Sequence, residues 1–236
     1  PLIIKWHFLL KNSEVDIPLT KSIAVWFAGV AFEMTPGHVG ILMKSQILKT
    51  SSNISRTKTV PIIIVEKVYE LIGAILASVI GIIILGMEFY LIIIAISGLV
   101  VIFFFMYHKP ASELFFNRIT KLKFFSKYVE NLPEFYKIVK KSTNVKAATI
   151  CILLALTYWF MVSAAAYYTL IAFDVNILDY LKVLAIYTTS SLLGAISFIP
   201  GGIGVTEGSI TGLFTLNGID VSTALILAVM IRIFTL

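Results

Sequence analysis

Three stretches of this chain, Phe89–Tyr107, Ala147–Phe173 and Val183–Thr206, contain no Asp, Glu, Lys or Arg. Each is about as long as the roughly 20 apolar residues a helix needs to cross a hydrocarbon core of about 30 Å. Only 14% of the 236 residues are charged, where a soluble domain carries roughly 25%. With 58% hydrophobic residues and a mean hydropathy of +0.95, the composition argues against a water-soluble fold. A β-barrel would show segments of about 10 residues alternating in polarity, whereas these runs are continuous. The expected fold class is therefore all-α, a polytopic transmembrane helix bundle.

Spanning helices are expected at 1–10, 60–86, 89–107, 147–173 and 221–236, the first and last cut short by the ends of the chain. Neither end reads as a natural terminus, so the chain is expected to be an internal fragment of a longer membrane protein. Two further apolar stretches, 19–48 and 181–217, are each interrupted by a Pro-Gly pair. A regular helix cannot accommodate such a pair without new backbone partners.

Charge orients the chain. Between His108 and Lys146 stand nine basic and three acidic residues, a surplus equal to the +6 of the whole protein. The loop from Lys44 to Lys58 adds four basic residues and no acid, while the breaks at Gly86–Glu88, Asp174–Asp179 and Asn217–Asp220 carry acids and no base. The positive-inside rule places 44–58 and 108–146 in the cytoplasm. Aromatic and aliphatic residues alternate with the lysines of 108–146, as expected of amphipathic helices on an anionic inner leaflet. The alternative is that these aromatics pad the cytoplasmic ends of the bundle. Nucleic acid is not an expected partner of a loop anchored this way; membrane lipids are, and so is a second copy of the chain in a homo-oligomer.

The two interruptions resemble each other: Thr35-Pro36-Gly37-His38-Val39-Gly40-Ile41 and Ile199-Pro200-Gly201-Gly202-Ile203-Gly204-Val205. Three expected spans separate them, so the first would dip in from the cytoplasm and the second from outside. That is the pattern of an inverted repeat built on two re-entrant hairpins. Each proline ends one half-helix, and a new one is expected at about Val39 and Ile203. Its free amides and positive dipole end favour an anion such as a lipid phosphate. The competing reading is a kinked helix whose freed groups are satisfied by neighbours. Pro36, Gly37, His38, Gly40, Pro200, Gly201, Gly202 and Gly204 are thus candidate substrate-binding positions.

Ionisable residues at membrane depth extend the set, because each costs at least ~2.5–3.5 kcal/mol to place there. Glu207 falls in the first turn of the second half-helix, where it could meet a headgroup amine, carry a proton or cap amides. Arg232 is a second such charge. Glu33 could pair with Lys44 or line the same cavity. Glu66 and Glu70 share one helix face at i,i+4 near the expected cytoplasmic end, where an interfacial role competes with a functional one. No catalytic constellation or metal-ligand spacing is present, no cofactor is implied, and the single cysteine, Cys151, excludes an internal disulfide. The chain reads as transporter-like, not as an enzyme.

Thr35-Pro36-Gly37-His38-Val39-Gly40, then Val65-Glu66-Lys67-Val68-Tyr69-Glu70, then Pro200-Gly201-Gly202-Ile203-Gly204-Val205-Thr206-Glu207 and the late Arg232 together resemble the transmembrane region of lysylphosphatidylglycerol synthases. This family includes many stand-alone flippase-like membrane proteins. The resemblance covers nearly the whole chain. It departs at Ile41, where an acid usually follows the second glycine, and at Glu70, where an Asp is usual. It implies movement of an anionic or aminoacylated phospholipid, or of a polyprenyl-phosphate lipid, across the cell membrane. Alternatives are the membrane half of a lipid-modifying synthase, whose soluble domain would lie outside this chain, and a scaffold for a polyprenyl-phosphate glycosyltransferase. On this reading 1–236 form one flippase-like transmembrane domain, with 108–146 as its cytoplasmic basic segment.

Overall fold

The computed structural model describes residues 1–32, 40, 42–84, 93, 96–102, 104, 131–197 and 199–235. Among them there is no strand, and the fold is all-α. The helices are α1 (Leu2–Asn12), α2 (Leu19–Ala31), α3 (Met43–Ser52), α4 (Arg56–Ile84), α5 (Leu132–Ser142), α6 (Val145–Ala172), α7 (Tyr180–Ile196), α8 (Val205–Leu216) and α9 (Val221–Thr235). The continuous runs expected at 1–10, 60–86, 147–173 and 221–236 thus became α1, α4, α6 and α9. Each interrupted stretch is split in two, 19–48 into α2 and α3 and 181–217 into α7 and α8. Of the span expected at 89–107, residues 93, 96–102 and 104 are helical. Residues 108–130 of the basic segment lie outside the described residues.

The chain packs as two compact units. The first holds α1, α2, α3, α4 as far as Glu70, α5, and α6 as far as Leu154. Short polar signals set its helix ends. Glu14 turns the chain after α1 at φ 59°, and Asn53, a residue type that tolerates the left-handed region, ends α3 at φ 53°. Asn131 caps α5 by accepting from the Glu134 N–H at 3.3 Å, and Pro133 lies in the first turn. Glu134 near the start of α5 and Lys140 and Lys141 near its end both suit the helix dipole. One face of α5 buries Phe135 and Ile138 while Lys137 and Lys140 stay exposed. Its far end is tied down by Asn12 Nδ2 donating to the Lys141 carbonyl (2.8 Å), a Ser13–Ser142 hydroxyl contact (3.0 Å) and Tyr69 Oη donating to the Ser142 carbonyl (3.0 Å).

The second unit holds α4 from Leu71, α6 from Ala155, and α7, α8 and α9. Aromatic contacts fix the return of α7 along α6. Tyr167 meets Tyr180 at 5.9 Å between ring centroids, Tyr180 Oη donates to the Phe160 carbonyl at 2.9 Å, and Trp159 meets Tyr187 at 6.2 Å. Small residues let α4 approach both helices: a Cβ on Gly73 would lie 2.7 Å from Ala155 Cβ, and one on Gly81 2.4 Å from Ala185 Cβ. Close approach at small residues is how helices associate where lipid removes the hydrophobic drive. Leu170, Val183, Ile186, Phe214, Leu227 and Ile231 fill the core.

At 28 residues α6 is about 42 Å long, enough to cross a bilayer. Little of it is buried. Leu153, Met161 and Tyr168 stand more than half exposed along it, as do Ile196, Ile233 and Phe234 on α7 and α9.

Candidate functional site

The second Pro-Gly interruption lies among the described residues. Helix α7 ends at Ile196, where Ser197 Oγ donates back to the Gly194 carbonyl (2.6 Å) and accepts from the Ile199 N–H (3.2 Å). A single 3-10 turn, Pro200–Gly202, follows, and α8 opens at Val205. The sequence places that start two residues earlier, at Ile203. The difference is stereochemical: Gly202 (φ 64°) and Gly204 (φ 84°) both occupy the left-handed region, and the chain must pass through them before a right-handed helix can begin. Gly202 is also a point of close approach. A Cβ there would sit 2.6 Å from Thr206 Oγ1 and 3.0 Å from Gly194 Cα.

Glu207 stands at the third position of α8 and reaches back, its Oε2 accepting from the Gly204 N–H at 2.6 Å. Arg232, from α9, donates its Nε to Glu207 Oε1 at 2.9 Å, and a terminal guanidinium nitrogen donates to the Gly201 carbonyl. One carboxylate and one guanidinium therefore clasp the break from both ends. The structure gathers Pro200, Gly201, Gly202, Gly204, Glu207 and Arg232 into one place. Sequence reasoning found the acid and the base but not the bond between them. The signal was available, since a charge at membrane depth is stable only with an opposite partner.

A second constellation lies in the first unit. Lys44 Nζ donates to both oxygens of Glu66, at 3.1 and 2.9 Å, and both side chains are buried. The ammonium lies 4.8 Å from the Trp6 ring centroid and 5.9 Å from that of Trp26, within cation–π range. Gly29 makes room for it, because a Cβ there would lie 2.5 Å from the Lys44 side chain. Lys5, fully buried, donates to the Glu66 carbonyl (3.1 Å) and pairs with Glu70 Oε2 (3.4 Å), while Lys67 reaches Glu70 Oε1 (3.1 Å). Glu66 is thus buried inside the protein, and it is the partner that Lys44 takes. Lys5 and the two tryptophans were missed because a short apolar run hides a lone lysine. Gly40 is buried in a 3-10 turn. Glu33, Pro36, Gly37 and His38 lie outside the described residues.

At the edge of the first unit, Lys141 Nζ meets Glu14 Oε1 at 2.6 Å. The hydrogen bond and charge of Lys141 hold the Glu14 carboxyl below the usual carboxylate range.

Among the described residues one helix, α6, is long and apolar enough to cross a membrane, and large apolar side chains stand uncovered on α6, α7 and α9. The buried and part-buried charges Lys5, Lys44, Glu66, Glu207 and Arg232 are paired, as suits a helical integral membrane protein. The chain belongs to the family described as the lysylphosphatidylglycerol synthase TM region, whose pattern matches residues 2–236. It is similar to the UPF0104 membrane protein of Methanocaldococcus jannaschii, with 25% identity over 211 residues that cover 86% of each chain. No solved structure matches it significantly.

Proposed function

We propose that this chain carries a lipid with an anionic headgroup across the cell membrane, using its two Pro-Gly interruptions as re-entrant hairpins of an inverted repeat. The observation that carries the proposal is the clasp at 200–207. Its left-handed glycines, the start of α8 and the Glu207–Arg232 pair form a polar, charged site amid uncharged helix. Irregular backbone of this kind at membrane depth suits a substrate site between broken helices. By its sequence the motif at 35–41, with Pro36, Gly37, His38 and Gly40 and the nearby Glu33, is the second member of the repeat. Segments 44–58 and 108–146 face the cytoplasm, the latter resting its lysines on the anionic leaflet.

The test is translocation of a fluorescent phospholipid in vesicles reconstituted with the chain. Glu207→Gln and Pro200→Ala each abolish most of the transport; undiminished rates in both overturn the assignment. The family's description as part of a synthase favours a second reading, the membrane half of a lipid-modifying enzyme. Transport by this chain alone separates the two.

A further inference from the structure

The proposed transport leaves open how the clasp at the second interruption meets its lipid. Its chemistry is unusual in one respect: the donors suited to an anion are already satisfied by the protein's own carboxylate. Glu207 spends one oxygen on the Gly204 N–H and the other on the Arg232 Nε. A phosphodiester likewise presents one negative charge on two acceptor oxygens, and a guanidinium fork binds either group.

The clasp is also within reach. Glu207 and Arg232 are 17% and 11% exposed, Gly204 has open space where a Cβ would stand, and Ile199 and Ile203 are exposed beside it. The Lys44–Glu66 pair offers the internal contrast. At 3% and 1% exposure and enclosed by Trp6 and Trp26, it is closed to any ligand.

We propose that Glu207 is a built-in stand-in for a phosphate, and that the phosphodiester of an arriving headgroup displaces its carboxylate from Arg232 and the Gly204 N–H. The proposal rests on the lipid-binding reading above and adds the competition. Displacement strands Glu207 without a partner, a cost that keeps wild-type affinity low. Replacing the carboxylate by an amide removes that cost. Glutamine still has an oxygen to accept from the Gly204 N–H, so the start of α8 keeps its cap, but it has no charge with which to hold Arg232.

The experiment is equilibrium binding to the purified chain in neutral detergent, with dihexanoyl phosphatidylglycerol, dihexanoyl phosphatidylcholine and inorganic phosphate as probes. Freeing the site from its internal competitor tightens phosphatidylglycerol binding in Glu207→Gln by about tenfold. Arg232→Gln abolishes that binding, alone and combined with Glu207→Gln, and Arg232→Lys restores part of it. Circular dichroism melts of each variant confirm that it is folded. If Glu207→Gln binds no more tightly than wild type, or if Arg232→Gln binds equally well, the stand-in is refuted. Inorganic phosphate competing as strongly as phosphatidylglycerol assigns the displacement to free phosphate. Failure to compete assigns it to the lipid headgroup, and equal binding of phosphatidylcholine overturns selectivity for net negative charge. The rank order among variants holding while reconstituted vesicles show no translocation would sink the transport reading and leave the displacement standing.

Discussion

Lys44 and Glu66 stabilise each other only as a pair. Removing one partner of a buried pair strands the other charge and costs about 3–5 kcal/mol, whereas removing both with apolar residues of similar size is often near neutral. Lys44→Met is therefore expected to lower the melting temperature sharply in detergent, and Lys44→Met/Glu66→Met to regain most of the loss. Glu14 behaves differently because it is exposed. Its folded carboxyl titrates below its unfolded value, so its contribution is present above the unfolded pKa, near 4, and fades as pH falls through the folded one. Glu14→Gln should melt with wild type at strongly acidic pH and slightly below it at neutral pH. At this scale the sequence singled out Glu66, Glu70, Glu207 and Arg232 but not whom they meet, and it passed over Lys5. Glu207 and Arg232 are 25 positions apart, and Lys5 and Glu70 are 65 apart. Such pairings are created by tertiary packing, which no local pattern encodes.

The break between α7 and α8 sorts its glycines by what each would meet. Gly202→Ala combines a left-handed backbone with a clash against Thr206 and Gly194, and should cost about 1–3 kcal/mol or more. Gly204→Ala meets no clash but carries a backbone penalty of its own, at φ 84° and ψ −43°, and should also destabilise. Gly208, inside α8 with nothing within 4 Å of a Cβ, should gain about 0.5–1 kcal/mol on replacement by alanine. Melts of the three variants by circular dichroism check these signs. The interruption was legible because Pro-Gly pairs cannot continue a helix, and Glu207 in the first turn of α8 was legible for the same reason. The start of α8 was not, since it depends on how many residues the chain spends in the left-handed region before turning back.

Over the whole molecule, the alternation of basic and acidic loops predicts two sides. Cys151 is fully buried, so a cysteine introduced elsewhere can be labelled against a silent background. A membrane-impermeant maleimide applied to intact cells should label Asn176→Cys and spare Lys49→Cys and Lys140→Cys, all three being exposed positions. Opening the membrane should admit label to the last two. The reverse order would overturn the orientation, and with it the opposed directions of the two interruptions. Fold class and most helix limits were readable from charge and hydropathy alone, because a bilayer leaves the backbone few choices. The division into two compact units was not, since α4 and α6 each run unbroken from one into the other with no mark at Glu70 or Leu154.

The enclosure of Lys44 also gives the protein an optical handle. Of its three tryptophans, Trp6 and Trp26 stand over that one ammonium, while Trp159 packs against Tyr187 in the other unit. Ultraviolet emission from the unlabelled chain is thus weighted toward a single ion pair, and its colour and intensity report when that pair loosens.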